Sequence, residues 1–314
     1  MSFSSKPLLR LFPRFRRLEA ERNRLREELG RLRANEADIP TFFPPGHFYS
    51  PLPSRREIAE AFARGGFGPP FPGIDLNEPA QVQRLERIAA WYPEQPYPEQ
   101  PTEGFRYHLD NPSYGAFDAL MLYGMLREAR PQRIIEVGSG FSSAAMLDLN
   151  ERVLGGAVQF TFIDPDMTRL RPLLRPDDHA RVTLIERRVQ EVPLETFAAL
   201  RANDVLFIDS SHVSKIGSDV NRLYFDVLPV LAPGVLIHIH DVAGNLEYPR
   251  EWLEEGRAWN EQYLLRAFLM YNRSFRIELF TGLLFNQRHE FLRQHMPLAA
   301  RGGGGQIWLR KVES

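Results

Sequence analysis

Four side chains able to move protons or hold a cation stand where apolar runs end. They are Asp209 after Leu206-Phe-Ile, His212 three residues further on, and His240 and Asp241 at the close of Val235-Leu-Ile-His-Ile. An aspartate directly after three apolar residues must, if buried, be hydrogen-bonded, paired or metal-bound, because isolated charge is costly away from water. His212 is a candidate general base, since imidazole titrates near neutral pH. Side chains alternate along a strand, so His238 and His240 share one face and Asp241 lies at the tip on the other. Asp209 and Asp241, with His212 and His240 nearby, make an oxygen- and imidazole-rich pocket suited to a divalent ion. A hydrogen-bonded structural network is the alternative, and for His238 alone the expectation is a core residue.

A second constellation lies upstream. Ile134, Ile135 and Val137 supply a strand that runs into a turn at Gly138, Ser139 and Gly140, with Glu136 just before it and a helix opening at Ser142. Glycines after a strand let a ligand approach the backbone, as in nucleotide-cofactor turns, although an ordinary strand-to-helix connection has the same form. The run Phe160-Thr-Phe-Ile ends at Asp164, placed to accept hydrogen bonds from both ribose hydroxyls of an adenosine cofactor or to cap Pro165-Asp-Met. Gln190, in the loop after the third strand, is placed to meet an adenine edge.

These residues need a sheet to bring them together. Apolar strands are predicted at 133–137, 158–163, 181–186, 204–208, 234–240, 275–280 and 306–312, with helices at 116–129, 167–174, 194–201 and 218–231. Such alternation predicts a doubly wound, Rossmann-like α/β fold: a seven-stranded, mostly parallel sheet covered on both faces and ending in an antiparallel hairpin. Ligands bind beyond the carboxyl ends of such strands, where all the candidate residues fall. The glycine run 302–305 reads as a flexible lead-in to the last strand, because no helix follows it to hold a phosphate.

Three regions are expected. Residues 1–36 carry an amphipathic helix with Leu18, Leu25, Leu29 and Leu32 in a narrow stripe, suited to a short coiled coil that would join copies of the chain or to a helix lying on its own domain. Residues 37–104 are rich in proline and aromatics, with helical patterns near 55–64 and 80–92, and are expected to wrap the catalytic domain or form part of a substrate wall. Residues 105–314 form that domain. Tyr107, His108 and Tyr114 on one side, and the aromatic, amide-rich segment 247–263 on the other, are candidates for the acceptor's surroundings.

Composition narrows the function. Of 314 residues, 43% are hydrophobic, enough for a packed core, and a net charge of -1 provides no bulk attraction to nucleic acid or anionic membrane. With no cysteine there is no disulfide or thiolate metal site, so a metal would rely on carboxylate, imidazole or carbonyl ligands. The basic N-terminus is too short in apolar residues for a signal or a membrane span, and a cytosolic protein is expected. The strong preference for arginine over lysine suits a GC-rich bacterial genome.

Glu136-Val-Gly-Ser-Gly140, Asp164 and Phe207-Ile-Asp209 resemble, in order, the first motif, second-strand acid and fourth-strand motif of the class I S-adenosylmethionine-dependent methyltransferases. The resemblance spans about residues 105–314, and Ile-Asp-Ser-Ser-His with His-Ile-His-Asp is similar to a bacterial methyltransferase-like subgroup near the cation-dependent O-methyltransferases. It implies that Glu136, Gly138, Ser139 and Gly140 receive the methionine part of the cofactor, with Asp164 taking the ribose and Gln190 the adenine. Asp209 and Asp241 map to the metal ligands of the cation-dependent group. His212 holds the place of a lysine base, and Val242 stands where a second fifth-strand ligand is usual, a loss His240 is placed to make good. The implied activity is methylation of a hydroxyl oxygen on a sugar, polyol or phenolic small molecule, with magnesium or another divalent cation assisting. Two alternatives stand beside it: a non-catalytic cofactor-binding scaffold subunit and an NAD(P)-dependent oxidoreductase. Against the latter, Ser143 occupies the place of the third glycine in a dinucleotide fingerprint.

Overall fold

A computed structural model of the chain describes residues 17, 20–26 and 42–313. Of the predicted N-terminal helix, residues 17 and 20–26 are helical and exposed, Leu25 among them, while Leu18, Leu29 and Leu32 lie outside the described residues. The chain forms two compact units, Met1–Ala59 and Glu60–Ser314. In the first, Phe43 and Tyr49 pack around His47. Ser54 and Glu57 there form a reciprocal cap at the start of helix α1, Arg55–Arg64.

The second unit is built on one sheet. Its strands are β1 Arg133–Val137, β2 Gln159–Ile163, β3 Val182–Ile185, β4 Val205–Ile208, β5 Leu236–His240, β6 Phe275–Phe280 and β7 Gln306–Lys311. They lie in the order β3-β2-β1-β4-β5-β7-β6, the first five parallel and β7 inserted antiparallel between β5 and β6. The interior strand β4, Val-Leu-Phe-Ile, is apolar throughout because both its faces are covered, and the other strands each carry apolar residues on both faces. Ile134, Phe160, Phe207 and Trp308 point to one core, while Ile135, Val137, Ile208 and Ile239 point to the other. Burying each such side chain stabilises the fold by ~1.5–3 kcal/mol.

The helices are α2 Glu78–Trp91, α3 Ala116–Ala129, α4 Phe141–Arg152, α5 Leu194–Ala198, α6 Asp219–Arg222, α7 Leu228–Val230, α8 Arg250–Glu254, α9 Glu261–Leu269, α10 Thr281–Gln287 and α11 His289–His295. The helix predicted at 167–174 is only a 3₁₀ turn, Arg171–Leu173. Pro172 explains this, since it lacks the N–H that would continue the helical bonding begun by the Arg171 N–H to the Met167 carbonyl. The helix predicted at 218–231 is present but broken by a π segment, Leu223–Val227, between α6 and α7. Helix α2 docks on the edge strand β6, where Arg84 donates to the Glu278 carbonyl at 2.6 Å and pairs with its carboxylate at 2.7 Å. No helix among the described residues is long and apolar enough to cross a membrane.

Candidate active site

Period-two alternation puts Glu136 on the same face of β1 as Ile134, directly beneath the start of α4. Ser142 donates to Glu136 Oε1 at 2.6 Å and Ser143 donates to Oε2, while the Gly140 N–H bonds Ser143 Oγ at 3.0 Å. Glu136 is fully buried and lines none of the cavities described below. It is placed to hold the turn from below. Burial pushes its carboxyl up to about 8 from an ordinary 4.5, against the two serine donors that favour the charged form. Folding therefore takes up a proton here. The contribution to stability is full below about pH 4.5 and is lost as pH rises through about 8. Melting temperatures recorded from about pH 5 to about pH 8 should fall more steeply for the wild type than for Glu136→Gln. Equal slopes would show that another group carries the dependence.

The turn itself is shaped by β4. Gly138 has φ +86°, and a Cβ there would lie 1.8 Å from the Asp209 carbonyl oxygen, so only glycine lets the tips of β1 and β4 approach this closely. Asp164 then ties the turn to β2. Its Oδ2 accepts the Ser139 N–H at 2.9 Å and its Oδ1 the Asp166 N–H at 2.8 Å.

A cavity of about 470 Å³ opens beyond these tips, lined by Gly138, Asp164, Gln190, Asp209 and Lys215 among others. A smaller one of about 120 Å³ shares Gly138, Asp164 and Asp209 and adds Ser139, Gly140, Tyr114 and Arg169. Together they form one cleft of a size for a nucleoside-bearing ligand. Gln190 lies in it with its amide donated to the Gly217 carbonyl at 2.8 Å. A third cavity, about 430 Å³, is lined by Asn111, Asp118, His240, Asp241, Trp252 and Gly303 to Gly305. The glycine run thus forms part of a cavity wall, and a Cβ at Gly304 would fall 2.1 Å from Asp118 Oδ1. Residues 60–104 line none of these three cavities. Of the upstream aromatics, Tyr114 lines the smaller cavity, while the Tyr107 hydroxyl is donated to the Tyr114 carbonyl at 2.6 Å.

Asp209, His212 and Asp241 meet where the cleft and the third cavity adjoin. His212 Nε2 lies 3.3 Å from Asp209 Oδ1 and 3.3 Å from Asp241 Oδ2, and Nδ1 lies 2.9 Å from Glu261 Oε2. The His212 carbonyl accepts the Asn260 and Glu261 N–H groups at 3.0 Å each, so the opening turn of α9 holds the loop. His212 and Asp241 both carry positive φ, 59° and 54°, a conformation that costs ~1–3 kcal/mol each and persists only where surroundings impose it.

Electrostatics assign the protons. Burial opposes charge on His212, but hydrogen bonds to Asp209 and Glu261 outweigh it and push its pKa up to about 10. His212, expected from sequence to be a base, thus has a carboxylate beside each ring nitrogen, an arrangement that favours its protonated form. Burial likewise disfavours the charged form of His240, yet Asp209, Asp118 and Asp241 together raise its pKa. Burial works against ionisation of Asp209, but His240, His212 and Arg169 hold its carboxyl below the ordinary range.

His240 is not brought into the cation group. Its Nε2 stands 3.9 Å from Asp241 Oδ1, and its ring packs on Tyr114 and His238. His238 is fully buried, stacked on Phe207. Val242 is a core residue, so no second fifth-strand ligand stands there. The third donor is His212, whose ligand atom, with one from each aspartate, falls in a group spanning 4.8 Å or less. Two carboxylates and an imidazole at such spacing fit a divalent cation.

Three residues of the site were not anticipated from the sequence. Glu261 is buried and also accepts from Ser210 Oγ at 3.1 Å. Asp118 is buried, with burial the main cause of a pKa raised to about 6, and Gln306 donates to its Oδ1 at 3.1 Å. Arg169 lines the smaller cavity. A lone acid in the otherwise apolar stretch of α3 was the one available signal for Asp118.

A family model described as a methyltransferase domain matches residues 135–242, from β1 through the tip of β5. An uncharacterized protein of Archaeoglobus fulgidus is 32% identical over 181 residues, covering 54% of this chain and 78% of its own. Among solved structures, the SAH-bound methyltransferase PaMTH1 of Podospora anserina aligns over 88% of this chain and 100% of its own, at 13% identity and a TM-score of 0.39. The Mg-SAM form of cmcI aligns over 71% and 84%, at 19% identity and 0.39. The Bacillus cereus O-methyltransferase with SAH aligns over 75% and 91%, at 12% identity and 0.37. With the matched domain lying on the glycine turn and the two acid-bearing strand tips of the 3-2-1-4-5-7-6 sheet, the chain belongs to the class I S-adenosylmethionine-dependent methyltransferases.

Proposed function

We propose that this chain methylates a hydroxyl oxygen of a sugar, polyol or phenolic small molecule, with a divalent cation at Asp209 and Asp241 assisting. One observation carries the proposal. Asp209 lines the cleft on the glycine-turn side, Asp241 lines the third cavity, and both stand 3.3 Å from the same nitrogen of His212. A cofactor in the first space and an acceptor in the second would therefore meet over this pair.

S-adenosylmethionine supplies a methyl group on a sulfonium, which is displaced in line. The chain's part is to align the acceptor and manage its proton. Gly138 to Gly140 offer backbone to the methionine portion. Asp164, already anchored by two backbone N–H groups, keeps carboxylate lone pairs for a ribose. Gln190 stands at the adenine end. On the acceptor side Trp252 gives an apolar face, and Asp118 and Asp241 give acceptors for hydroxyl donors, the mixture a polyol or phenol requires. A cation between Asp209 and Asp241 would orient the acceptor oxygen and lower its pKa.

Calorimetric titration with S-adenosylhomocysteine, with and without Mg²⁺ and with NAD as control, tests this. Micromolar binding of the homocysteine product, none of NAD, and a dependence on divalent cation support the proposal. Binding of NAD alone, or of neither, rejects it. Asp164→Ala should weaken S-adenosylhomocysteine by about 1–3 kcal/mol, the cost of losing charged hydrogen bonds. Unchanged affinity would remove Asp164 from the ribose site.

A further inference from the structure

We propose that the cation site is a three-ligand, nitrogen-containing centre, Asp209, His212 and Asp241, with Glu261 fixing the imidazole, and that it selects a transition-metal dication over magnesium. This rests on the function proposed above and specifies the ion that serves it.

His212 lines none of the three cavities and is 4% exposed, whereas Asp209 and Asp241 both line them. A proton-abstracting base must reach the acceptor directly or through one water. His212 lies behind the carboxylate pair and reaches the cavities only through whatever those carboxylates hold. Its Nε2 is 3.3 Å from one oxygen of each carboxylate, and one donor atom from each of the three residues falls within 4.8 Å of the others.

The other ring nitrogen is committed. Nδ1 faces Glu261 Oε2 at 2.9 Å, and that carboxylate is buried and steadied by Ser210 Oγ. A carboxylate there holds the proton on Nδ1 and turns the Nε2 lone pair toward the aspartates, the arrangement that orients metal-bound histidines. Trp259 packs on the ring at 4.4 Å and limits its rotation. On coordination the Nε2 proton would be released to solvent, while Nδ1 would keep its hydrogen bond to Glu261.

Ligand chemistry then selects the metal. Magnesium favours oxygen in a near-octahedral shell that retains several waters. An imidazole added to two carboxylates favours manganese, iron, cobalt or zinc.

The test uses the full chain stripped of metal with EDTA. Mn²⁺, Co²⁺ and Mg²⁺ are titrated calorimetrically, S-adenosylhomocysteine is titrated in parallel, and the Mn²⁺-loaded wild type is read by pulsed EPR for ¹⁴N coupling. The expected result is Mn²⁺ and Co²⁺ binding about tenfold or more tighter than Mg²⁺, with an imidazole nitrogen coupled to manganese. His212→Ala should lose the discrimination and the coupling. Glu261→Gln should weaken Mn²⁺ by about 10- to 100-fold, and saturating Mn²⁺ should restore wild-type S-adenosylhomocysteine affinity. Absence of nitrogen coupling in the wild type, equal or tighter Mg²⁺ binding, or no metal binding overturns the proposal. If S-adenosylhomocysteine still binds in that case, only the three-ligand centre is rejected. If it does not bind, the function proposed above fails with it. The coupling is measured on the wild type, so it discriminates even if a variant fails to fold.

Discussion

Gly138→Ala should lose more than about 3 kcal/mol of stability, among the largest effects open to a single substitution, and should abolish cofactor binding. Two costs combine. A side chain at φ +86° is strained by ~1–2 kcal/mol, and its Cβ would sit 1.8 Å from the Asp209 carbonyl oxygen. Relief requires the tips of β1 and β4 to part, which breaks the 2.8 Å bond from the Asp209 N–H to the Val137 carbonyl. The same movement displaces the Asp209 carboxylate from His212. Gly140→Ala is the control. Its φ is 175°, and its nearest neighbour is the movable Cδ of Arg169, so it should stay within about 1 kcal/mol of wild type. Urea midpoints and S-adenosylhomocysteine titration of both variants decide the matter. Similar stability for the two would mean that the turn tolerates a side chain at Gly138.

Arg106→Ala should cost about 3–5 kcal/mol, because it leaves carboxylates buried without a partner. The guanidinium, 1% exposed, bonds Asp148 at 2.8 Å, Asp178 at 2.6 and 3.2 Å, and Glu151 at 2.5 Å. Asp148 is fully buried and also accepts the Arg106 and Tyr107 N–H groups at 2.8 Å each. This cluster fastens residues 105–107 to α4 and to the turn Pro176–Ala180, and so positions Asn111 to Tyr114 at the cavities. Arg106→Lys should recover only part of the loss, since an ammonium cannot form the bidentate contact with Asp178. Chemical denaturation measures both. A loss under about 1 kcal/mol for the alanine variant would mean that water reaches Asp148 and Asp178 once the arginine is removed.

All seven strands were legible to within two residues, because a sheet covered on both faces leaves several closely spaced apolar residues in each strand. The strand tips then followed, and with them Asp164, Asp209 and Asp241. Where the sequence misled, local chemistry overrode period: Pro172 stops a helix that the apolar spacing of 167–174 suggests. Other features depend on contacts that no spacing encodes. Glu261 reaches His212 only because the His212 carbonyl receives the start of α9. Asp118 joins the third cavity because Gly304 passes directly over its carboxylate. The surroundings of His212 belong to the same class. Its position after β4 matches that of a base, and the carboxylates beside both its nitrogens come from segments that no local spacing links to it.

The insertion of β7 between β5 and β6 constrains how the molecule assembles. Among the described residues strand β6 has no sheet neighbour other than β7, and β7 pairs Leu236 with Arg310 across a long stretch of chain. During synthesis on the ribosome the five parallel strands can associate while β5 still presents an open, apolar edge. Segment 306–311, alone or already paired with β6, must then slot in beside it. Closure is thus a late, non-local event, of the kind that slows folding. Until it happens, the exposed backbone of β5 is a template for pairing with other chains, so nascent copies that stall at this stage are the ones that should require chaperones.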